Sequence, residues 1–197
     1  MAADTRTERL ILTPIDSADP ELVQALFEIQ SDPATWTHLP DGVETDVAQS
    51  RAMAEDYARS WRDFGLGWWA IRTADRLGEL APGAIIGLGG AAVRRPDVRA
   101  WNLGYRLARD AWGHGFATEV GIAARRAAAA ARPDLPVTAR ALTRNPASWR
   151  TLERVGLNLA WEGDDPADYP LTSGLLRRVY ADREVPPELL AQLIALG

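Results

Sequence analysis

The sequence predicts a single domain of the α/β (α+β) class, covering residues 1–197, in which helices flank a mixed central sheet. Short strand-like runs alternate with longer helical runs, and this alternation favours a sheet covered by helices. A chain of 197 residues is long enough to form a hydrophobic core without disulfides. Its 47% hydrophobic and 25% charged residues are typical of a folded globular protein.

The first half of the chain predicts a strand, two helices and then three strands. Proline in the first turn after Asp19 marks the start of the first helix. Gly87, Gly89 and Gly90 lie inside one predicted strand and indicate a bulge or a close approach of backbone. The predicted elements are a strand at Arg9–Thr13, helices from Pro20 to about Gln30 and from Thr45 to about Arg62, and strands at Gly67–Arg72, Ala84–Val93 and Trp101–Leu107.

The second half predicts helices and strands in alternation, with two strands in succession near the end. Gly156 is a natural residue for ending a helix, because glycine readily adopts the left-handed conformation found there. The predicted elements are a helix at Phe116–Arg132, a strand at Val137–Leu142, a short helix from Pro146 to Gly156, strands at Leu157–Glu162 and Leu175–Asp182, and a helix at Pro186–Leu196.

Composition excludes several classes of function. The chain has no cysteine, which rules out disulfides, thiolate metal sites and a cysteine nucleophile, and two histidines argue against a His-rich metal site. All 22 basic residues are arginine, so Schiff-base chemistry and the lysine-dependent phosphate loop are also excluded. A net charge of -5 argues against nonspecific nucleic-acid binding. The acidic N-terminus and the absence of a long apolar run favour a cytoplasmic protein that does not enter a membrane.

The segment Gly104–Glu119, which reads GYRLARDAWGHGFATE, carries the clearest functional signal. A strand leads into a glycine-rich turn and then into a helix, whose first amides are unpaired and carry a partial positive charge. This arrangement predicts a main-chain cradle for a phosphate group, although plain strand-to-helix turns also look like this. The dinucleotide fingerprint is disfavoured because Thr118 occupies the position of its third glycine.

Two blocks resemble the GCN5-related N-acetyltransferases (GNAT). Trp112–Glu119, WGHGFATE, resembles the acetyl-CoA loop of that family, and more narrowly that of the ribosomal-protein N-terminal acetyltransferases (RimJ/RimL-like). Asn145–Leu157, NPASWRTLERVGL, is similar to a downstream segment of the same family. The resemblance covers nearly the whole chain and implies the GNAT fold, with acetyl-CoA as co-substrate and no metal.

The resemblance also implies where the cofactor lies. The pyrophosphate rests on the amides of Gly113 through Thr118, and the pantetheine runs beside the strand that ends at Leu107. A bulge is expected to splay this strand from Val137–Leu142 and expose backbone donors, so that an amide near Leu107 stabilises the oxyanion. The implied cofactor-binding residues are Leu107, Trp112, Gly113, His114, Gly115, Phe116, Ala117, Thr118 and Asn145.

Two residues are implied as catalytic. Ser148 matches a serine that is often near the sulfur in this branch, where it protonates the leaving thiolate; alternatively it is a helix-surface hydroxyl bonded to a nearby carbonyl. Asn102 stands where many relatives carry glutamate, and an amide is no base at neutral pH. The base then lies elsewhere, or the amine arrives deprotonated, or Asn102 orients water, or catalysis is weak. Asn145 either caps its helix or contacts the pantetheine.

The acceptor implied by the resemblance is a primary amine, either a protein N-terminus or a small molecule. The candidate contacts are Trp36, His38 and Trp69, with the alternatives that His38 is a solvated loop residue and that the tryptophans belong to the core. The acidic net charge favours a cationic acceptor through steering. The protein is a monomer or a homodimer. The alternatives are a coenzyme A-binding module without turnover and an enzyme for a longer acyl chain.

Overall fold

The structure, a computed structural model, describes residues 3–166 and 172–196. Its strands are β1 Thr5–Arg6, β2 Leu10–Pro14, β3 Trp68–Thr73, β4 Ile85–Ala92, β5 Trp101–Leu107, β6 Val137–Leu142, β7 Asn158–Asp164 and β8 Leu176–Ala181. They form one sheet in the order β1-β2-β3-β4-β5-β6-β8-β7, and all neighbours are antiparallel except β5 and β6. The predicted mixed sheet is therefore confirmed.

Five α-helices accompany this sheet in the described part of the chain. Three of them begin at capping side chains: the Asp19 carboxylate accepts two amide hydrogen bonds, Asp46 forms a capping box with Gln49, and the Asn145 amide oxygen accepts the amide of Ser148. The helices are α1 Pro20–Gln30, α2 Val47–Phe64, α3 Phe116–Ala131, α4 Pro146–Val155 and α5 Pro187–Ala195.

The observed elements match the predicted ones in type and order, with small additions. β1 was not predicted because it is two exposed residues paired with β2 at the edge of the sheet. The predicted loop between the first two helices contains two short 3-10 turns, Pro33–Trp36 and Pro40–Gly42, each opened by proline. The predicted single domain also includes residues 1–2, 167–171 and 197, which lie outside the described residues.

Apolar side chains pack on both faces of the sheet. On one face, α3 and α4 contribute Val120 and Leu152 to the larger cluster of buried residues. On the other face, α1 and α2 contribute Leu26 and Ala54 to a second cluster. A smaller third cluster includes Leu193 of α5. The sheet is thus covered on both faces, as the alternation of strands and helices predicted.

The parallel pair β5 and β6 separates soon after it forms. The ladder contains only the pairs Trp101–Val137 and Asn102–Thr138, after which β6 stays paired to β8 while β5 stays paired to β4. The predicted splay is present, but the predicted bulge in β5 is wrong, because β5 keeps one register with β4 throughout. The register shift of β4 lies instead on its β3 side. The separation opens a gap at the middle of the sheet.

The glycines of β4 serve a close backbone approach. A Cβ atom at Gly87 would lie 2.4 Å from the carbonyl oxygen of Arg106, and one at Gly89 would lie 2.8 Å from the Cβ of Tyr105. Larger residues would push β4 away from β5. Both predicted explanations of this glycine cluster are confirmed, because β4 approaches β5 closely and the register shift of β4 against β3 lies beside Gly87.

Candidate active site

A cavity of about 850 Å³ lies at the gap between β5 and β6. Its walls are the two strands, the start of α3, one face of α4 and the turn at residues 35–39. Most of the residues singled out from the sequence line it. These are Trp36, His38, Asn102, Leu107, Trp112, Gly113, Gly115, Phe116, Ala117, Thr118, Asn145 and Ser148.

Two of the singled-out side chains lie elsewhere. Trp69 is 1% exposed and packs in the core, with its ring 6.1 Å from that of Trp61, so its prediction as an acceptor contact is wrong. Successive strand residues face opposite sides of a sheet, and it is Trp68 that lines the cavity. His114 is exposed and stacks on Phe116 outside the cavity wall.

The glycine-rich turn forms a row of free amides before α3. Gly113 and Gly115 have φ of 79° and 78°, in the left-handed region that favours glycine. Gly115 caps α3 without a side chain to accept hydrogen bonds, and the amides from Gly113 to Ala117 have no partner among the described residues. The Thr118 amide, included in the predicted cradle, already donates to the Gly115 carbonyl at 3.1 Å. The free cradle thus ends at Ala117.

Contacts from the N-terminal hairpin hold this turn in place. The guanidinium of Arg9 donates to the His114 carbonyl at 2.8 Å and forms an ion pair with Glu119 at 2.7 Å. Glu119 also accepts from the Thr7 hydroxyl at 2.6 Å. Burial raises the pKa of the Glu119 carboxyl, but the hydrogen bonds from Thr7 and Arg9 outweigh burial, and the net shift is downward. Glu119 is therefore an ionised anchor for α3 rather than a group that faces the cavity.

The edge of β5 presents backbone donors to the gap. The amide of Trp101 donates to Pro136 on the β6 side at 2.9 Å, and the amide of Ala108 donates to Ile86 on the β4 side at 2.9 Å. Because these directions alternate along a strand, the amides of Tyr105 and Leu107 point towards β6. The ladder with β6 has ended by then, so both amides face the gap.

The α4 wall carries Ser148 in the first turn of its helix. Ser148 lines the cavity, and its side chain interacts with the phenol of Tyr105. The Ser148 carbonyl accepts a hydrogen bond of 3.3 Å from the hydroxyl of Tyr105, a cavity residue that the sequence analysis missed. Burial raises the pKa of the Tyr105 phenol, so the phenol keeps its proton at neutral pH. Asn145 caps α4 and also lines the cavity, so its two predicted roles are compatible.

The opposite wall belongs to the other face of β5. Asn102, Gly104 and Arg106 share this face, because every second strand residue points the same way. The Trp68 ring covers Gly104, where a Cβ atom would lie 2.6 Å from Cζ2 of the indole. The guanidinium carbon of Arg106 lies 3.3 Å from the centroid of the Trp36 ring. This wall is therefore aromatic and cationic.

His38 completes the wall beside Trp36, with the two rings stacked at 6.2 Å. Burial, followed by the charges of Arg106 and Arg144, lowers the pKa of His38 to about 4. The imidazole is therefore neutral at pH 7 and is a much weaker base than an ordinary histidine. His38 is therefore better suited to contact the substrate amine than to take a proton from it.

The charge of the cavity is opposite to that of the whole chain. No aspartate or glutamate lines it within the described ranges, although the net charge of the protein is -5. The cationic acceptor expected from net charge is therefore not what the cavity wall favours. The arginines in the wall are Arg94, Arg106, Arg140, Arg150, Arg154 and Arg177.

Residues 3–166 and 172–196 contain neither a cluster of metal-ligating side chains nor a membrane-spanning helix. No three His, Asp or Glu side chains of these residues come together in a way that would hold a metal ion. None of the helices there combines the length and the apolar content needed to cross a bilayer.

The chain is similar to known acetyltransferases in sequence and in fold. The model of the acetyltransferase (GNAT) domain matches residues 9–158. Among solved structures, the chain is similar to an acetyltransferase from Agrobacterium tumefaciens (24% identity, 93% of this chain and 96% of the other, TM-score 0.67) and to a GNAT-family acetyltransferase from Bacillus anthracis (17%, 91% and 97%, 0.67). It is also similar to RimL, a ribosomal L7/L12 alpha-N-protein acetyltransferase in complex with coenzyme A (19%, 90% and 97%, 0.65). At these identities the similarity concerns the fold.

Proposed function

Because the chain belongs to the GNAT acetyltransferase family, we propose that it transfers an acetyl group from acetyl-CoA to a primary amine. The observation that carries the proposal is the continuity of the free amides at residues 113–117 with the gap between β5 and β6. A row of unpaired amides at a helix start suits a pyrophosphate. The coenzyme A complex of RimL supports the same ligand.

The cradle also has room for this ligand. A Cβ atom at Gly113 would meet nothing within 4 Å, and one at Gly115 would meet only the Arg9 guanidinium at 3.7 Å. There is therefore open space beside both glycines, at the edge of the cavity. The outward-facing amides of Tyr105 and Leu107 would pair with the amide groups of the pantetheine arm, as a strand pairs with its neighbour.

In the reaction, the amine nitrogen forms a bond to the acetyl carbon while the carbon–sulfur bond breaks. The amide of Leu107, or that of Tyr105, would donate to the carbonyl oxygen as negative charge develops there. Ser148 faces the cavity from α4 and would donate its proton to the departing thiolate, and the proton that the amine releases to solvent would restore the serine hydroxyl. Asn102 lies on the other face of β5 and would orient the amine or a water molecule that takes its proton.

The acceptor is the finer part of the proposal. A protein N-terminus is one candidate, because RimL is a protein N-acetyltransferase of the same fold. A small amine is the other, since a fold does not determine a substrate. We place the reaction in the cytoplasm, with the chain acting as a monomer or homodimer.

A second function is favoured by one feature. Asn102 cannot accept a proton at neutral pH, and His38, with its pKa of about 4, is a poor substitute. A coenzyme A-binding module without turnover would need neither group. In this alternative the free amides still bind coenzyme A, but no acetyl group is transferred.

Calorimetry and a thiol-release assay separate the two functions. We expect coenzyme A to bind with saturation, and acetyl-CoA to release free thiol only when an amine from a panel of peptides and small molecules is added. Saturable binding with no thiol release for any amine would favour the module. The absence of binding at millimolar coenzyme A would contradict both functions.

Replacement of Ser148 by alanine is expected to lower kcat by about 100-fold, the scale of a lost general acid, with little change in coenzyme A affinity. The Ser148 backbone, whose amide donates to the capping side chain of Asn145 and whose carbonyl accepts from Tyr105, stays in place. The measurements are steady-state kinetics of thiol release and calorimetry with coenzyme A. Ser148→Thr keeps a hydroxyl and should retain more of the rate. An unchanged kcat in Ser148→Ala would leave Ser148 as a helix-surface hydroxyl.

A further inference from the structure

The guanidinium of Arg106 is held in the cavity wall by contacts with Thr35 and Trp36. Its Nη1 donates to the carbonyl oxygen of Thr35, and the group stacks on the Trp36 ring at 3.3 Å. Its other nitrogens, Nε and Nη2, have no hydrogen-bond partner among the described residues. A planar guanidinium fixed in this way keeps donors available in the geometry that binds a carboxylate.

The surroundings of Arg106 do not neutralise it within the cavity. Arg94, also in the wall, and Arg144, which donates to the His38 carbonyl, add positive charge on this side. The carboxylate that acts on Arg106 is Glu44, which does not line the cavity and is already bonded to Gln30 and Ser50. Burial lowers the pKa of Arg106 to about 10, so the group remains charged at neutral pH.

A second donor on the same wall lacks a partner. The indole Nε1 of Trp68 is buried and makes no hydrogen bond with any described residue. Trp68 stacks on Tyr57 at 4.6 Å and lines the cavity. The indole nitrogens of Trp69 and Trp101 in the core are unpaired in the same way, so this donor describes the wall and does not by itself indicate a ligand contact.

The cradle for the pyrophosphate does not account for Arg106. The cradle lies at the start of α3, which packs on the face of β5 that carries Leu103 and Leu107. Arg106 points to the opposite face, towards Thr35 and Trp36. The two cationic features therefore serve different parts of the cavity.

Resting on the proposed function, we infer that the acceptor amine carries an anionic oxygen group, a carboxylate, and that Arg106 binds it. The carboxylate belongs either to a small amino acid-like molecule or to an acidic side chain near the N-terminus of a peptide. In both cases Arg106 determines specificity on the acceptor side.

The test uses matched pairs of amines with the wild-type protein and acetyl-CoA. One pair is β-alanine and β-alaninamide, and the other is a peptide with glutamate at its second position and the same peptide with glutamine. We expect kcat/KM to be at least tenfold higher for the acid in one pair, and the pair concerned identifies the source of the carboxylate. Transfer to the neutral partners at an equal or higher rate would overturn this inference and leave the proposed function standing. No transfer to any amine would overturn both.

Arg106→Gln tests the residue. The ratio of kcat/KM between the acid and its neutral partner should fall by about tenfold or more, the effect of losing a charge-assisted hydrogen bond. Arg106→Lys keeps the charge but not the fork, and should give an intermediate ratio. Arg99→Gln removes one exposed positive charge, paired with Asp134 outside the cavity, and should keep the wild-type ratio. A wild-type ratio in Arg106→Gln, with a folded protein by thermal melting and unchanged coenzyme A affinity, would overturn the role of Arg106.

Discussion

Gly115→Val is expected to weaken coenzyme A binding by at least about 100-fold, or about 2.7 kcal/mol. Gly115 sits at φ 78° with its Cα at the cavity wall, and an added side chain there would meet open space rather than the core. Valine would therefore project over the free amides that we assign to the pyrophosphate. Titration calorimetry with coenzyme A measures the loss.

Gly65→Val is the matched control for backbone strain. Gly65 has the same backbone angles as Gly115, φ 78° and ψ 6°, and an added Cβ at Gly65 would meet nothing within 4 Å, whereas one at Gly115 would meet only the Arg9 guanidinium at 3.7 Å. Gly65 ends α2 and does not line the cavity. Because valine is strained at this positive φ, both variants should lose about 1–2 kcal/mol of stability or somewhat more. Only Gly115→Val should lose affinity for coenzyme A. Wild-type affinity in that variant would contradict the cradle.

The cradle could be predicted from the sequence because its geometry is local. A strand, two glycines one residue apart and a helix occupy a short stretch of chain, and glycine tolerates the φ values near 78° that this turn adopts. What holds the turn was not predictable in the same way. Arg9 and Glu119 are 110 residues apart, and only the fold shows that they pair.

The cavity wall that carries Trp68 and Arg106 was harder to predict, because it depends on which residues of each strand point to which face of the sheet. Trp68 and Trp69 are adjacent, and the sheet is covered on both faces, so apolar content cannot tell which indole faces the cavity. The same limit explains why Arg106 was missed as a cavity residue. Its partners, Thr35 and Trp36, come from a turn whose docking is a tertiary property.

The net charge of the chain was a poor guide to the charge of the acceptor, for a related reason. A count of charges over the chain includes every exposed carboxylate, whereas an acceptor meets only the cavity wall. Asp97 and Asp134, for example, pair with surface arginines away from the site. The local charge follows from which residues the fold gathers at the gap, and these are arginines.

Arg177→Met is expected to lower the free energy of unfolding by about 3–5 kcal/mol, the typical effect of breaking a buried ion pair. Arg177 pairs with Asp165, and their side chains are 4% and 0% exposed. The Arg177 guanidinium also donates to the Thr172 hydroxyl at 3.3 Å. Methionine fills much of the same volume but leaves a buried carboxylate without its cation, which is the main cause of the loss. Urea denaturation measures it.

Two comparisons separate this cause from a general effect of removing arginine. Arg95→Met breaks the ion pair between Arg95 and Asp97, whose side chains are 59% and 60% exposed, and should leave the free energy of unfolding nearly unchanged. The double variant Arg177→Met with Asp165→Leu removes both buried charges and should recover much of the stability lost in the single variant, since paired replacement by apolar groups is often close to neutral. A double variant less stable than Arg177→Met would show that the pair stabilises the fold beyond mutual neutralisation.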